Sequence, residues 1–123
     1  MDEFFRGTRD GPVYADSQLV VMRTVRPPGL RFAGEIDISN SDAVAQSIRI
    51  ALGDTARSHV DVSGLSFMDV SGIRAFVDAA RDMGDGRRLL LHGLARQLET
   101  VMRVTGWADV PSFVLCECGV ESR

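Results

Sequence analysis

One stretch of the sequence decides the predicted fold: Asp61-Val62-Ser63-Gly64-Leu65-Ser66-Phe67-Met68-Asp69-Val70-Ser71-Gly72-Ile73. Its pattern predicts a strand, then a polar turn, then the first turn of a helix. Ser71 falls at the start of that helix, among backbone N–H groups that lack an intrahelical partner and at the positive end of the helix dipole. A hydroxyl there can cap the helix, bind an anion or carry a phosphoryl group.

Hydrophobic residues before and after this stretch recur with strand or helix periodicity. Pro27-Pro28-Gly29 predicts the turn of a hairpin. Ser39-Asn40-Ser41-Asp42 offers capping oxygens ahead of a first helix, which we expect Gly53 to end. The second helix is expected to be amphipathic over about 71–83, and Gly106 is placed to end a third. Strands are predicted at 19–25, 30–36, 59–62, 87–92 and 113–116.

The expected order of elements is β-β-α-β-α-β-α-β, with the third helix beginning near Leu94. Parallel neighbours in such an order need crossover connections, so the order predicts an α/β domain with helices packed against a mixed sheet. Residues 1–18 mix Gly, Asp, Arg and Pro without periodicity. We therefore expect a loose N-terminal arm at 1–18, one domain at 19–117 and a C-terminal tail at 118–123.

Composition and charge narrow the classes of function. The apolar fraction is 45%, the charged fraction is 25% and the net charge is -3, which leaves no electrostatic footprint for nucleic acid. No apolar run approaches the roughly 20 residues that span a bilayer, and the N-terminus is too short and too acidic for a signal peptide. We expect a cytoplasmic protein that neither binds nucleic acid nor inserts into a membrane.

Candidate catalytic residues are few. Ser71 beside Asp69 is the serine setting best suited to a nucleophile, but no Gly-x-Ser-x-Gly motif surrounds it. The two histidines, His59 and His92, stand at the ends of separate predicted strands, so a serine triad would have to assemble across the sheet. We expect the chain not to be an enzyme.

Candidate metal and cofactor ligands are equally sparse. Glu35 and Asp37 are predicted on one face of a strand end, where they could serve acid–base chemistry, hold a divalent cation or simply be solvated. Cys116 and Cys118 form a lone Cys-x-Cys, whereas a zinc site normally needs four ligands in two paired spacings. We predict buried or half-buried thiols, and no metal or cofactor.

Two motifs in this order resemble those of the STAS domain, the sulfate-transporter and anti-sigma-factor-antagonist family. They are Gly34-Glu35-Ile36-Asp37 and Asp61-x-Ser63-x-Leu65-x-Phe67-Met68-Asp69-x-Ser71-Gly72-Ile73, and the resemblance spans roughly residues 19–117. It implies the STAS fold, an α/β domain in which a mixed sheet of four to five strands is packed by three to four helices.

The resemblance also implies a function. STAS proteins of this size resemble bacterial anti-sigma-factor antagonists, which bind an anti-sigma factor of the serine kinase type and so free a sigma factor. In that family the kinase phosphorylates the serine directly after the motif's aspartate, and Val70 stands at that position here. Because valine has no hydroxyl, we expect the usual switch to be absent. Ser71 is expected to cap the helix, with its phosphorylation left as a lesser alternative.

By the same resemblance, the partner-binding surface would include polar and apolar residues at the strand ends and on the following helix. They are Asp37, Asp69, Val70, Ser71, Arg74 and Asp78. Each of these also has a purely structural interpretation, as a strand-end or helix-cap group. A second function stays open, a STAS subunit of a membrane-transport or lipid-trafficking complex, and edge strands would allow a homodimer.

Overall fold

The computed structural model describes residues 12–52, 55–84 and 86–116. Within those ranges six strands form one sheet, in the order in which they occur along the chain. The described residues also contain three α-helices and one short 3-10 helix, Trp107–Asp109. The strands are β1 (Tyr14–Ala15), β2 (Leu19–Val25), β3 (Pro28–Ile36), β4 (Arg57–Met68), β5 (Arg88–His92) and β6 (Phe113–Cys116). The helices are α1 (Ser41–Leu52), α2 (Val70–Arg81) and α3 (Arg96–Thr105).

The sheet is mixed, as predicted. Strands β1, β2 and β3 pair antiparallel, and strands β3 to β6 pair parallel. One α-helix connects the two strands of each parallel pair. Because each connection is a right-handed crossover and each new strand is added on the same side of the sheet, all three helices lie on one face of the sheet. The strand number exceeds the predicted four to five by the two-residue β1, which lies inside the segment expected to be a loose arm.

The core lies between the helices and the covered face of the sheet. Phe32 of β3 and Phe76 of α2 meet edge to face, with their ring centroids 5.1 Å apart. Both rings are fully buried, and such a contact contributes about 0.5–1.5 kcal/mol beyond the burial itself. This pair fixes α2 against the middle of the sheet. Alternate strand residues complete the core: Leu19, Val21, Leu30, Ile36, Val60, Val62, Leu89, Leu91 and Phe113.

Several element boundaries differ from the predicted ones. No turn follows Val62, because β4 continues to Met68 as a partner of β3, with two irregularities in the register. The hairpin turn is Arg26 and Pro27, so Pro28 and Gly29 belong to β3. Helix α3 begins at Arg96, two residues later than the apolar pattern suggested, and Gly106 ends it in the left-handed conformation.

Some predictions fall on residues outside the described ranges. These are the helix end at Gly53, Cys118 and the tail at 118–123, and the described part of Cys116 is its backbone in β6. Among the described helices, none has the length and apolar character required to cross a membrane.

Candidate interaction surface

The two motifs meet where β3 and β4 end side by side. Ile36 and Met68 are register partners, and the Asp69 N–H donates to the Ile36 carbonyl at 3.3 Å. Asp37 and Asp69 are the residues that follow this pair. The carboxyl ends of two adjacent parallel strands therefore bring together the two aspartates that the sequence motifs single out.

Asp37 organises the turn between β3 and α1. Its carboxylate accepts hydrogen bonds from the Ser39 hydroxyl at 2.6 Å, the Ser39 N–H at 2.9 Å and the Gln18 side-chain amide at 3.3 Å. The hydroxyl bond of Ser39, followed by its N–H bond, lowers the pKa of Asp37. Glu35 is a residue of β3, and Asp37 directly follows the last residue of that strand, Ile36.

Asp69 is the N-cap of α2. Its Oδ1 accepts the N–H groups of Ser71 at 2.9 Å and Gly72 at 3.3 Å, which satisfies two donors that the helix leaves unpaired. The Ser71 hydroxyl donates to the same oxygen. The prediction that Ser71 caps the helix is therefore wrong, because the capping acceptor is the aspartate two residues earlier.

Val70 is the first residue of α2 and is 49% exposed. Met68 and Ile73 are buried in the core, whereas the side chain of Val70 faces solvent next to the strand ends. The residue that directly follows the second motif aspartate is thus an accessible apolar side chain.

Gly72 lets α2 begin close to the sheet. A Cβ atom at this position would lie 2.6 Å from Met68 Cγ and 2.8 Å from Ile36 Cγ2, inside van der Waals contact. Any side chain would push the first turn of α2 away from the ends of β3 and β4. The glycine of the motif therefore sets the position of Val70 relative to Asp37.

A cleft of about 590 Å³ separates α1 from α2 beside this helix start. Of the residues predicted for the partner surface, Ser71, Arg74 and Asp78 line the cleft. Asp37, Asp69 and Val70 lie outside the lining, at the strand ends next to it. Three of the predicted residues thus line the cleft, and the other three lie at or directly after the ends of β3 and β4.

The charges around the cleft pair with one another. Arg74 and Arg81 lie 3.7 and 3.6 Å from Asp78, and Arg49 of α1 binds Asp82 after α2 at 2.9 Å. Exposed pairs of this kind contribute about 0–1 kcal/mol each. The surface consequently presents alternating charges rather than a field of one sign.

The sequence motifs did not identify the α1 side of this cleft. Asp42, Gln46 and Arg49 line it from α1, and Ile38 lines it from the turn before that helix. Ile38 is 81% exposed. The sequence signal for this side of the cleft was an apolar residue inside a polar turn, followed by polar residues with helical spacing.

The comparisons with known proteins agree with this architecture. A crystal structure of an anti-sigma factor antagonist from Mycobacterium paratuberculosis is similar with a TM-score of 0.66 and 16% identity, over 81% of this chain and 88% of that one. The anti-sigma factor antagonist SpoIIAA in its unphosphorylated form is similar with a TM-score of 0.55 and 20% identity, over 76% of this chain and 81% of that one. At these identities the similarity concerns the fold.

A search of curated protein sequences returned no match. A family model described as "Mlab, STAS domain" matches residues 19–116, which include both motifs and all the strands and helices from β2 to β6. With most of its length matched, the chain belongs to the STAS domain family.

Proposed function

We propose that the protein is a cytoplasmic bacterial regulator, an anti-sigma-factor antagonist that binds an anti-sigma factor of the serine kinase type. The observation that carries the proposal is the exposed Val70 at the start of α2, beside the cleft between α1 and α2. The similarity in fold to two anti-sigma factor antagonists supports it. We define the α2 surface as Asp37, Asp69, Val70, Ser71, Arg74 and Asp78.

The proposed contact does not depend on phosphorylation. A phosphate on the residue that follows the motif aspartate would add a charge of about -1.5 to -2. That residue is Val70, which has no side-chain oxygen to carry it. Ser71 is a poor substitute because its hydroxyl donates to Asp69, and a phosphate there would face that carboxylate. Burying the exposed part of Val70 in an interface instead contributes roughly 1 kcal/mol. Binding is accordingly constitutive or controlled by another input.

The proposed role is not catalytic. A serine nucleophile needs a base within reach, and the described partner of the Ser71 hydroxyl is the Asp69 carboxylate. The register places His59 and His92 on the face of the sheet opposite α2, where His59 Nδ1 and His92 Nε2 lie 2.9 Å apart. Burial lowers the pKa of His59, with His92 and Arg57 adding to the effect. These features favour a binding module over a hydrolase.

Affinity capture from the native host tests the proposal. The immobilised protein should enrich a serine-kinase anti-sigma factor, identified by mass spectrometry. The variant Val70→Asp should lose it, because a charge replaces the apolar contact without affecting the core. Val25→Asp is the matched control, since Val25 is 55% exposed at the hairpin end of the sheet, away from the α2 surface. Retention of the partner by Val70→Asp would contradict the assigned surface.

A separate kinase assay tests whether the protein lacks the phosphorylation switch. Incubation of the captured kinase with ATP should leave the wild-type protein unphosphorylated, whereas Val70→Ser should gain one phosphate at the new serine. Phosphorylation of wild-type Ser71, located by peptide mass spectrometry, would show that the switch has moved by one residue.

The second candidate function is a STAS subunit of a membrane-transport or lipid-trafficking complex. The exposed Val70 and the mutually paired charges of α2 suit a permanent subunit contact as well as a regulatory one. The capture experiment separates the two candidates. Enrichment of a transporter ATPase that depends on Val70 would favour the second, and enrichment of a kinase would favour the first.

A further inference from the structure

Two histidines lie side by side on the face of the sheet opposite the described helices. His59 of β4 is the register partner of Leu90 in β5, and His92 follows Leu90 by two residues, so the histidines are diagonal neighbours. His59 Nδ1 and His92 Nε2 are 2.9 Å apart, whereas the ring centroids are 5.1 Å apart and the ring planes differ by 17°. The rings are therefore nearly coplanar and meet edge to edge, with the facing nitrogens at hydrogen-bond distance.

An N–H···N hydrogen bond limits how many protons this pair can hold. A neutral imidazole has one N–H and one acceptor nitrogen, so two neutral histidines can form the bond in either direction. One neutral and one protonated imidazole can also form it, with the protonated ring as the donor. Two protonated rings cannot, since both facing nitrogens would then carry a hydrogen. Whichever tautomers it starts from, the bonded pair therefore accepts one additional proton and no more.

Burial makes protonation of this pair unfavourable. Both rings are half-buried. Burial is the largest cause of the lowered pKa of His59, and the neighbouring His92 and Arg57 lower it further. A lowered pKa keeps His59 neutral at neutral pH, as the N–H···N bond requires of at least one of its two partners.

The charged residues beside the pair also disfavour a second proton. On β3, β4 and β5 they comprise three arginines and one carboxylate: Arg31, Arg57, Arg88 and Asp61. The Asp61 carboxylate is buried, accepts the N–H and the hydroxyl of Ser63, and lies 3.9 Å from Arg31. On β6 the register partners of this part of β5 are Val114, which is uncharged, and Cys116. The described charges beside the pair are thus positive in sum.

We propose that His59 and His92 form a proton-sensitive link between β4 and β5, which keeps its N–H···N bond with one additional proton and loses it on binding a second. Histidine in an unfolded chain titrates at about pH 6.5, and the folded pair takes up its second proton only at lower pH. Because the unfolded chain then binds more protons, stability is fully present above about pH 6.5 and decreases as the pH falls toward the second protonation. The link does not depend on the α2 surface or its partner.

Imidazole NMR of the full chain, labelled with nitrogen-15 histidine, tests the bond directly. At neutral pH a scalar coupling should connect His59 Nδ1 and His92 Nε2, because a hydrogen bond between the two nitrogens transmits it. On titration toward about pH 5 the pair should protonate in two separated steps, as interacting groups do. The coupling should persist through the first step and disappear with the second.

Single substitutions identify the groups that control the titration. His92→Gln should raise the titration midpoint of His59, and Arg57→Gln should raise it by a smaller amount, in the order in which these residues lower its pKa. Arg49→Gln is the matched control, because Arg49 lies in α1 and binds Asp82 at 2.9 Å. It removes the same charge and should leave the midpoint unchanged.

The double variant His59→Asn with His92→Gln separates titration from structure. Its two amides lie close to the positions of His59 Nδ1 and His92 Nε2, so they can keep a hydrogen bond but cannot titrate. Between about pH 6.5 and pH 5 the unfolding equilibrium constant of the wild type should rise about 10-fold more than that of the variant, because each proton that only the unfolded chain binds contributes up to a factor of about ten per pH unit. Urea unfolding followed by the fluorescence of Trp107 gives both constants.

Several results would overturn the proposal. They are independent titration of both histidines near their ordinary pKa of about 6.5, a coupling that survives protonation of both rings, and equal pH dependence of stability in the wild type and the double variant. An unchanged His59 midpoint in His92→Gln would do the same, since two bonded histidines must affect each other's protonation.

Discussion

The tetrapeptide Asp-Val-Ser-Gly occurs twice, at 61–64 in β4 and at 69–72 at the start of α2. Both copies form the same local hydrogen bonds. In each, the aspartate Oδ1 accepts the serine N–H at 2.9 Å and also the serine hydroxyl. One copy is nevertheless a strand and the other a helix N-terminus, so this bonding pattern does not determine secondary structure.

Tertiary surroundings separate the two copies. Val62 is 3% exposed between the sheet and the helices, whereas Val70 is 49% exposed. Asp61 is buried beside Arg31, and Asp69 is half-buried at a helix end. Because the tetrapeptide itself is identical, the difference comes from what surrounds each copy: β3 pairs along the first, with β5 pairing as far as Asp61, whereas the second follows the end of the β3 ladder. The first copy is structural and the second is available for contact.

Aspartate substitution of the two valines should give the largest difference. Val62→Asp buries an unpaired carboxylate in the core and should cost about 4 kcal/mol or more, a large part of the total stability of a typical domain. Val70→Asp should change stability by less than about 0.5 kcal/mol, since an acidic residue is favourable at a helix start. Urea unfolding followed by the fluorescence of Trp107 measures both. Equal costs would show that Val70 also belongs to the core.

Alanine substitution of the two glycines comes next. Gly72→Ala should cost about 2 kcal/mol, because its methyl group would overlap Met68 and the buried Ile36. A Cβ at Gly64 would lie 3.0 Å from the Phe32 carbonyl oxygen, a tight but smaller conflict, and Gly64→Ala should cost about 1 kcal/mol or less. Urea midpoints of the two variants give the comparison. A larger cost at Gly64 would mean that the first turn of α2 can move more freely than its packing indicates.

The repeated tetrapeptide also shows what could be predicted from the sequence. Helix α1 was predictable because capping residues precede a clean apolar face, and β5 and β6 because each is a short apolar run beside glycine or proline. The motif segment was harder. Ser63-Gly64 has the composition of a turn, yet pairing with β3 holds it as strand as far as Met68. Long-range pairing of this kind leaves no periodicity in the local sequence.

Only part of the candidate surface was predictable from the sequence. Val70 and Ser71, which directly follow the second motif aspartate, were identified through the resemblance to the STAS family. Which oxygen caps α2 depends on backbone angles, and the choice fell on Asp69 rather than Ser71. The contribution of α1, with Gln46 and Arg49 facing α2, arises from packing between helices that are distant in sequence.

Removal of the α2 cap should have a moderate effect. Asp69→Ala removes the acceptor of two backbone N–H groups and should cost about 1 kcal/mol. Asp69→Asn keeps an oxygen in the same place and should cost clearly less, so the pair distinguishes the cap from the charge. The measurement is again the urea midpoint. Equal losses in both variants would assign the effect to the charge near the helix dipole rather than to the hydrogen bonds.

Alanine substitution of the two serines should have the smallest effect and the most informative one. Ser63→Ala removes one donor from the buried Asp61 carboxylate, which keeps the Ser63 N–H, and should cost roughly 0.5 to 1 kcal/mol. Ser71→Ala loses the same hydroxyl bond, but alanine is the better helix former by a few tenths of a kcal/mol, so stability should change by less than about 0.5 kcal/mol. Urea midpoints of the two variants, compared with wild type, resolve the difference. A large loss for Ser71→Ala would make its hydroxyl part of the fold and leave it still less available to a kinase.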